Sequence, residues 1–242
     1  MPEEKIDLSD DSRILERSPA RIFERAIQGG LGRGNVGVVL SRPGVGKTAF
    51  LIGLALDALL NGRKVLHIST QESVDRVRGF YEHMFHMLAA SLHLDRPQER
   101  LLAVERNRHI LAYNREFFSL EKLESSVAVL KEATNFVPSF VITDGTPRFG
   151  KTEQWEMDGI CRLAKEWDAE IWTSSLTHRE GQDLDSRGVP VEVACFDSSL
   201  AVIINLVPTA DYTRVAIVKD HDRASSPDLH LELDPTTLLL RW

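Results

Sequence analysis

Two glycines set one residue apart and followed at once by lysine and threonine, in Ser41-Arg42-Pro43-Gly44-Val45-Gly46-Lys47-Thr48, have the plainest chemical use in this chain. Gly44 and Gly46 permit the positive φ angles that turn successive backbone N–H groups toward one point, as a phosphate requires. The apolar helix expected from Lys47 onward aims its positive N-terminal end at the same point. Lys47 would reach the outer phosphates of a nucleotide, and the Thr48 hydroxyl would take one Mg²⁺ position. Ser41 stands where such loops usually begin with glycine; it costs a little backbone freedom and adds no bulk. A glycine-rich turn that merely precedes a lysine is the competing reading, and the order strand, loop, Lys-Thr, helix disfavours it.

A carboxylate in the right setting lies farther on, where the apolar run Phe140-Val141-Ile142-Thr143 ends in Asp144. At the carboxyl end of a parallel strand it would face the loop and hold Mg²⁺ through a water. By itself it reads as a strand-ending aspartate capping a turn; beside the loop the magnesium role is preferred. His83, His86 and His93 sit among methionines on a helix-like segment, but no carboxylate completes a metal shell, so packing is the simpler reading.

These residues need a scaffold, and the chain supplies an alternating one. After a polar, charged N-terminal arm over residues 1–18, ARIFERAIQ is a short helix and GGLGRGN a glycine-rich break. VGVVLS after Asn35 reads as a buried parallel strand, and KTAFLIGLALDALL as a helix stopped by Asn61-Gly62. KVLHIS is a second strand, the segment from Ser73 to His93 a long helix capped by Ser73, and HILAYN a third strand. LEKLESSVAVLKEAT, SFVITD, TEQWEMDGICRLAKEW and AEIWTSS continue as helix, strand, helix and strand. This alternation predicts a mostly parallel sheet covered on both faces. Beyond His178, SSLAVIINLV, TRVAIVKD and DLHLELD follow with turn-length gaps, which predicts antiparallel hairpins at one side. The tryptophans Trp155, Trp167, Trp172 and Trp242 are expected mostly in the core.

Length and composition fit one such domain. The 242 residues, 43% hydrophobic and 27% charged, exclude collagen-like, low-complexity and wholly disordered classes. No run is long and apolar enough for a membrane helix and the first residues are charged, so a cytoplasmic location is expected. Cys161 and Cys195 fit neither a disulfide framework nor a zinc site and read as buried thiols. A formal charge of -7 offers no global field for nucleic acid.

The segment GGLGRGNVGVVLSRPGVGKTAF resembles the lead-in and phosphate loop of the RecA-like ATPases, in particular the KaiC and RadA group. Its stretch RPGVGKTAF is similar to the loop of DnaB-type replicative helicases, whose first position is also often a small non-glycine residue. The resemblance runs from about residue 19 to the C-terminus. It implies a three-layer RecA-like core, an ATP site built from Ser41, Arg42, Pro43, Gly44, Val45, Gly46, Lys47, Thr48 and Ala49, and a bound Mg²⁺. It gives Glu72 the part of the residue that polarises the attacking water, with Gln71 taking that place if the alignment slips by one. Ser175 falls where the family's sensor strand carries glutamine, with Thr177 or His178 as substitutes. Lys219 and Arg223 are similar to the two cations of the family's Lys-x-Arg hairpin, here spaced by four, which act on a neighbouring subunit's nucleotide.

The resemblance thus implies a homo-oligomer, a ring or filament. Three functions follow from it: a regulatory, protein-directed ATPase, favoured by the acidic surface; a DNA-dependent helicase or recombination factor; and a non-hydrolysing nucleotide-binding module. Single-stranded DNA is the disfavoured partner, because Arg179 and Arg187 are offset by Glu180, Asp183 and Asp185.

Overall fold

The computed structural model describes residues 18–27, 29–177, 183–223 and 230–241, so the sequence readings at His178, Arg179, Glu180, Trp242 and the first 17 residues lie outside it. In chain order the elements are α1 (Pro19–Ala26), β1 (Val36–Ser41), α2 (Lys47–Leu60), β2 (Val65–Ser69), α3 (Val74–Leu92), α4 (Pro97–Asn107) and β3 (Arg108–Ala112). There follow α5 (Leu120–Thr134), β4 (Phe140–Asp144), α6 (Gln154–Glu166), β5 (Glu170–Leu176), α7 (Val191–Ala194), β6 (Val202–Pro208), β7 (Thr213–Asp220), β8 (Glu232–Leu233) and β9 (Leu240–Arg241).

Among the described residues, nine strands form one sheet in the order β3-β2-β4-β5-β1-β6-β7-β8-β9. The pairs from β3 to β6 are parallel, while β6–β7, β7–β8 and β8–β9 are antiparallel. The protein is therefore α/β, with a mostly parallel sheet and antiparallel C-terminal strands. Continuous apolar strands require cover on both faces, and successive residues supply it. Val39, Phe140, Ile142 and Trp172 join one core with α1 to α4, whereas Val38, Val141 and Ile171 join a second with α5 and α6. Helix α2 is buried along most of its length, so it tolerates a charge at Asp57 only because the site is paired. Ser18 Oγ donates to that carboxylate at 2.6 Å, and Arg21 Nε lies 3.1 Å from it.

Several expectations change. Ser18, assigned by sequence to the arm, is buried and caps α1 through Arg21 N. Helix α4 is an element the periodicity reading passed over, because most of its polar length is exposed and it buries little beyond Arg100 and Val104. Cys195 is exposed rather than buried, and Trp155, 63% exposed, is not core, unlike Trp172. The strand read in DLHLELD contracts to Glu232–Leu233. Among the described residues no helix is long and apolar enough to cross a membrane; His83 and His86 lie in α3, and His93 caps its C-terminus at a positive φ.

Candidate functional site

The loop 42–46 leaves β1 at Ser41 and enters α2 at Lys47, so the strand's carboxyl end and the helix's amino end meet at one place. Gly44 and Gly46 take φ values of +76° and +106°, as the sequence predicts. At Gly46 a second demand applies: a Cβ there would lie 2.6 Å from Leu233 Cδ2, because the C-terminal strand β8 packs against the back of the loop. The helix begins without a side-chain cap, leaving its first N–H groups available for an anion.

Register brings the remaining groups to the same sheet edge. Ser41 pairs with Leu176 at the end of β5, and Ser69 with Asp144 at the ends of β2 and β4. An open cleft enclosing about 1550 Å³, solvent included, lies over these ends. Pro43, Gly44, Lys47, Thr48, Glu72, Asp144 and Ser175 line it, together with Gln71 and Ser174. Of the other loop residues, Ser41 is buried beneath it and Ala49 belongs to the core under the loop, while Arg42 is exposed; Val45 and Gly46 are half-buried.

The fully buried Ser41 does more than fill a glycine's place. Its Oγ accepts from Lys47 Nζ at 3.2 Å and donates to the Arg42 carbonyl at 2.7 Å, which seats the ammonium at the loop's base. Burial holds Lys47 below the ordinary lysine range, against the opposing pull of Asp144. Asp144 is 8% exposed. Burial raises its carboxyl above the ordinary range and Glu72 adds to the rise, while a 3.4 Å hydrogen bond from Ser174 Oγ and the charges of Lys47 and Arg115 oppose it. A buried, desolvated carboxylate and a hydroxyl lining the same cleft, as Asp144 and Thr48 do, are hard-oxygen donors of the kind Mg²⁺ accepts, since that ion keeps most of its waters and needs few protein ligands. The donor set therefore fits Mg²⁺ better than a zinc-type site.

Glu72 is placed by a turn rather than by the strand itself. Ser69 Oγ accepts from Gln71 N at 3.2 Å and Glu72 N at 2.9 Å, which curls the chain out of β2 before Ser73 caps α3. Gly145 lets the loop after β4 approach this turn. It has φ +83°, and a Cβ would fall 2.5 Å from Thr70 Oγ1 and 2.6 Å from Gln71 Cγ. Glu72 also pairs with Arg76 Nε at 3.0 Å.

Lys219 and Arg223 are not brought to this cleft. Because β7 runs antiparallel, its last residues lie toward the amino ends of the parallel strands, with Val202 opposite Asp220. Lys219 Nζ binds Asp197 Oδ2 at 3.0 Å, and Arg223 Nη1 binds the buried Asp220 at 2.9 Å and the Ala26 carbonyl at 3.3 Å. His221 joins the same clamp through Asp220 Oδ1 and the Leu31 carbonyl, tying the glycine-rich lead-in to the sheet. Thr177 is buried behind the loop and donates its N–H to the Ser41 carbonyl at 2.8 Å.

Sequence reasoning missed Ser174, Ser69 and three cleft cations, Arg115, Arg148 and Lys151. Their signal was positional: each follows or ends a strand whose carboxyl end faces the loop. Neither a protein-family model nor a curated protein matches the chain, so its function is argued from the cleft.

Proposed function

We propose that the protein is a RecA-like P-loop ATPase that binds ATP with Mg²⁺ and hydrolyses it in a regulatory, protein-directed role. The observation that carries this reading is the convergence of Lys47, Thr48, Asp144 and Glu72 on one cleft from three different elements: helix α2, strand β4 and the turn before α3. In this reading the backbone N–H groups of the loop and of the first turn of α2 hold the phosphates. Lys47, kept in place by Ser41, meets the outer phosphate oxygens. Thr48 and Asp144 hold Mg²⁺, which when bound neutralises phosphate charge and polarises the terminal phosphoryl group. Glu72 accepts the proton of the attacking water as the oxygen bonds to the terminal phosphorus, and the bridging oxygen leaves with ADP carrying the bond's electron pair. The net charge of -7 supports a protein-directed role over one on DNA.

Turnover of ATP by the purified chain with Mg²⁺ is the test, with and without single-stranded DNA. Glu72→Gln is expected to lower kcat by about 10²- to 10⁴-fold while leaving nucleotide binding intact. Absence of turnover in the unaltered protein would leave a nucleotide-binding module, and strong stimulation by DNA would replace the protein-directed role with a DNA-dependent one.

A further inference from the structure

Three cations at the cleft have no counterpart in the reading above: Arg115, between β3 and α5, and Arg148 and Lys151, between β4 and α6. None of the three side chains forms an ion pair or hydrogen bond among the described residues, whereas most arginines on this surface do, among them Arg33 with Asp168 and Arg162 with Glu124. An acidic protein that gathers three cations without ion pairs at one cleft has an electrostatic preference for an anion there.

The loop that carries two of them is firmly held. Pro147 and Phe149 flank Arg148 and are both buried, with Phe149 packed 6.0 Å from the Phe196 ring. Thr173 Oγ1 donates to the Thr146 carbonyl at 3.0 Å, and the Arg148 carbonyl accepts from Lys151 N at 2.6 Å and Thr152 N at 2.8 Å. With its neighbours turned into the core, Arg148 is exposed at the cleft wall, and the tight turn presents Lys151 beside it. Such anchoring sets donors in place before a reaction begins, which is the condition for electrostatic stabilisation to be effective.

Charge balance supports the same use. The carboxylates facing the cleft are Asp144 from β4, Glu72 from the turn before α3 and Glu192 from α7. Even with Glu72 paired to Arg76, Mg²⁺ and Lys47 leave a fully ionised nucleoside triphosphate beside Asp144 in negative excess, which the three cations offset. Lys219 and Arg223 contribute nothing within the chain, being bound to Asp197 and Asp220 toward the far edge of the sheet.

Building on the ATPase reading, we propose that Arg115, Arg148 and Lys151 are catalytic cations that contact the terminal phosphate of the nucleotide bound to the same chain. Water adds to the terminal phosphorus and gives its proton to Glu72, the bond to the bridging oxygen breaks with its electron pair going to ADP, and these cations stabilise the negative charge as it redistributes. One chain then holds the full set of charges for hydrolysis, and assembly is not needed for turnover.

Steady-state ATPase measurements on the full chain test this. Arg148→Ala and Lys151→Ala are each expected to lower kcat by about 10²-fold with KM changed by less than about threefold, and Arg148→Lys to recover part of the loss. Both residues are exposed, so thermal melting within about 2 °C of the unaltered protein is expected. A mixture of Lys47→Ala chains with Arg148→Ala chains is expected to stay inactive, because neither chain alone has a complete site. Restored turnover in that mixture would place the cations on a neighbour's nucleotide and overturn the proposal. So would kcat unchanged in both single variants, or a loss confined to DNA-stimulated turnover. An unaltered protein without ATPase activity would instead overturn the ATPase reading on which the proposal rests.

Discussion

Replacing Asp144 by asparagine separates the stability of this site from its function. The carboxyl's rise above the ordinary range already includes the favourable charges of Lys47 and Arg115 and the Ser174 hydrogen bond, so on balance its surroundings disfavour the ionised form relative to the unfolded chain. A group whose folded-state pKa is raised favours folding below its ordinary pKa, and that favour is lost as pH rises through the folded-state value. At pH 7.5 the ionised aspartate is therefore a cost, and D144N removes the charge while its amide oxygen can still accept from Ser174. Without nucleotide, D144N is expected to be more stable by on the order of 1 kcal/mol, a rise in Tm of about 2–4 °C for a domain of this size. The advantage should shrink as the buffer is taken below the ordinary aspartate range. With MgATP at about 100 times its Kd the unaltered protein should gain about 2.7 kcal/mol. D144N, without the carboxylate proposed to hold Mg²⁺, should gain less than about half of that. Thermal melts with and without MgATP at several pH values read both effects. A lower Tm for D144N in the absence of nucleotide, or an equal gain from MgATP, would refute the reasoning.

Other outcomes follow from neighbouring geometry. Ser174→Ala removes a hydrogen bond that lowers the Asp144 pKa, so the acid limb of the kcat/KM pH profile should move to higher pH. Gly145→Ala forces a side chain into a positive-φ position with contacts of 2.5–2.8 Å to Thr70 and Gln71; denaturant unfolding should show a loss of about 1–3 kcal/mol, together with lower turnover. His67 is fully buried, its Nδ1 3.2 Å from the Tyr81 hydroxyl, and burial, helped by Arg108, lowers its pKa to about 3. Its contribution to stability is present above pH 6.5 and lost as pH falls toward 3, by about 1.4 kcal/mol per unit. Urea unfolding from pH 6.5 to 4.5 should thus show a slope shallower in His67→Gln by about that amount.

The positive-φ loop between β1 and α2 and the strand–helix alternation were legible because they are local: glycines, an apolar run and a Lys-Thr pair lie within about ten residues of one another. The position of Asp144 at the cleft was legible too, since a strand end in a parallel sheet has a definite place relative to the loop. What it missed depended on contacts between distant segments. Trp155 sits in an amphipathic helix yet faces solvent, whereas the β5 register turns Trp172 into the core; which face of that helix packs is set by distant segments. Ser174 and Ser175 are equivalent in sequence, but alternation along the strand aims the first at Asp144.

The hairpin cations show the same division most clearly. Lys219 and Arg223 carry the right charge for a nucleotide site, and charge type is fixed by sequence. Where that charge is used is fixed by strand direction and by the nearest carboxylate, and an antiparallel β7 delivers both to Asp197 and Asp220 at the opposite end of the sheet. Arg115, Arg148 and Lys151 are unremarkable loop residues when read along the chain. Folding makes them neighbours of Lys47, because a parallel sheet gathers the loops that follow its strands at one edge whatever their separation in sequence. Sequence by itself determined which residue types the loop carries and where its backbone bends; the tertiary structure decided which charges face the cleft over it, since only packing sets distances between residues a hundred positions apart.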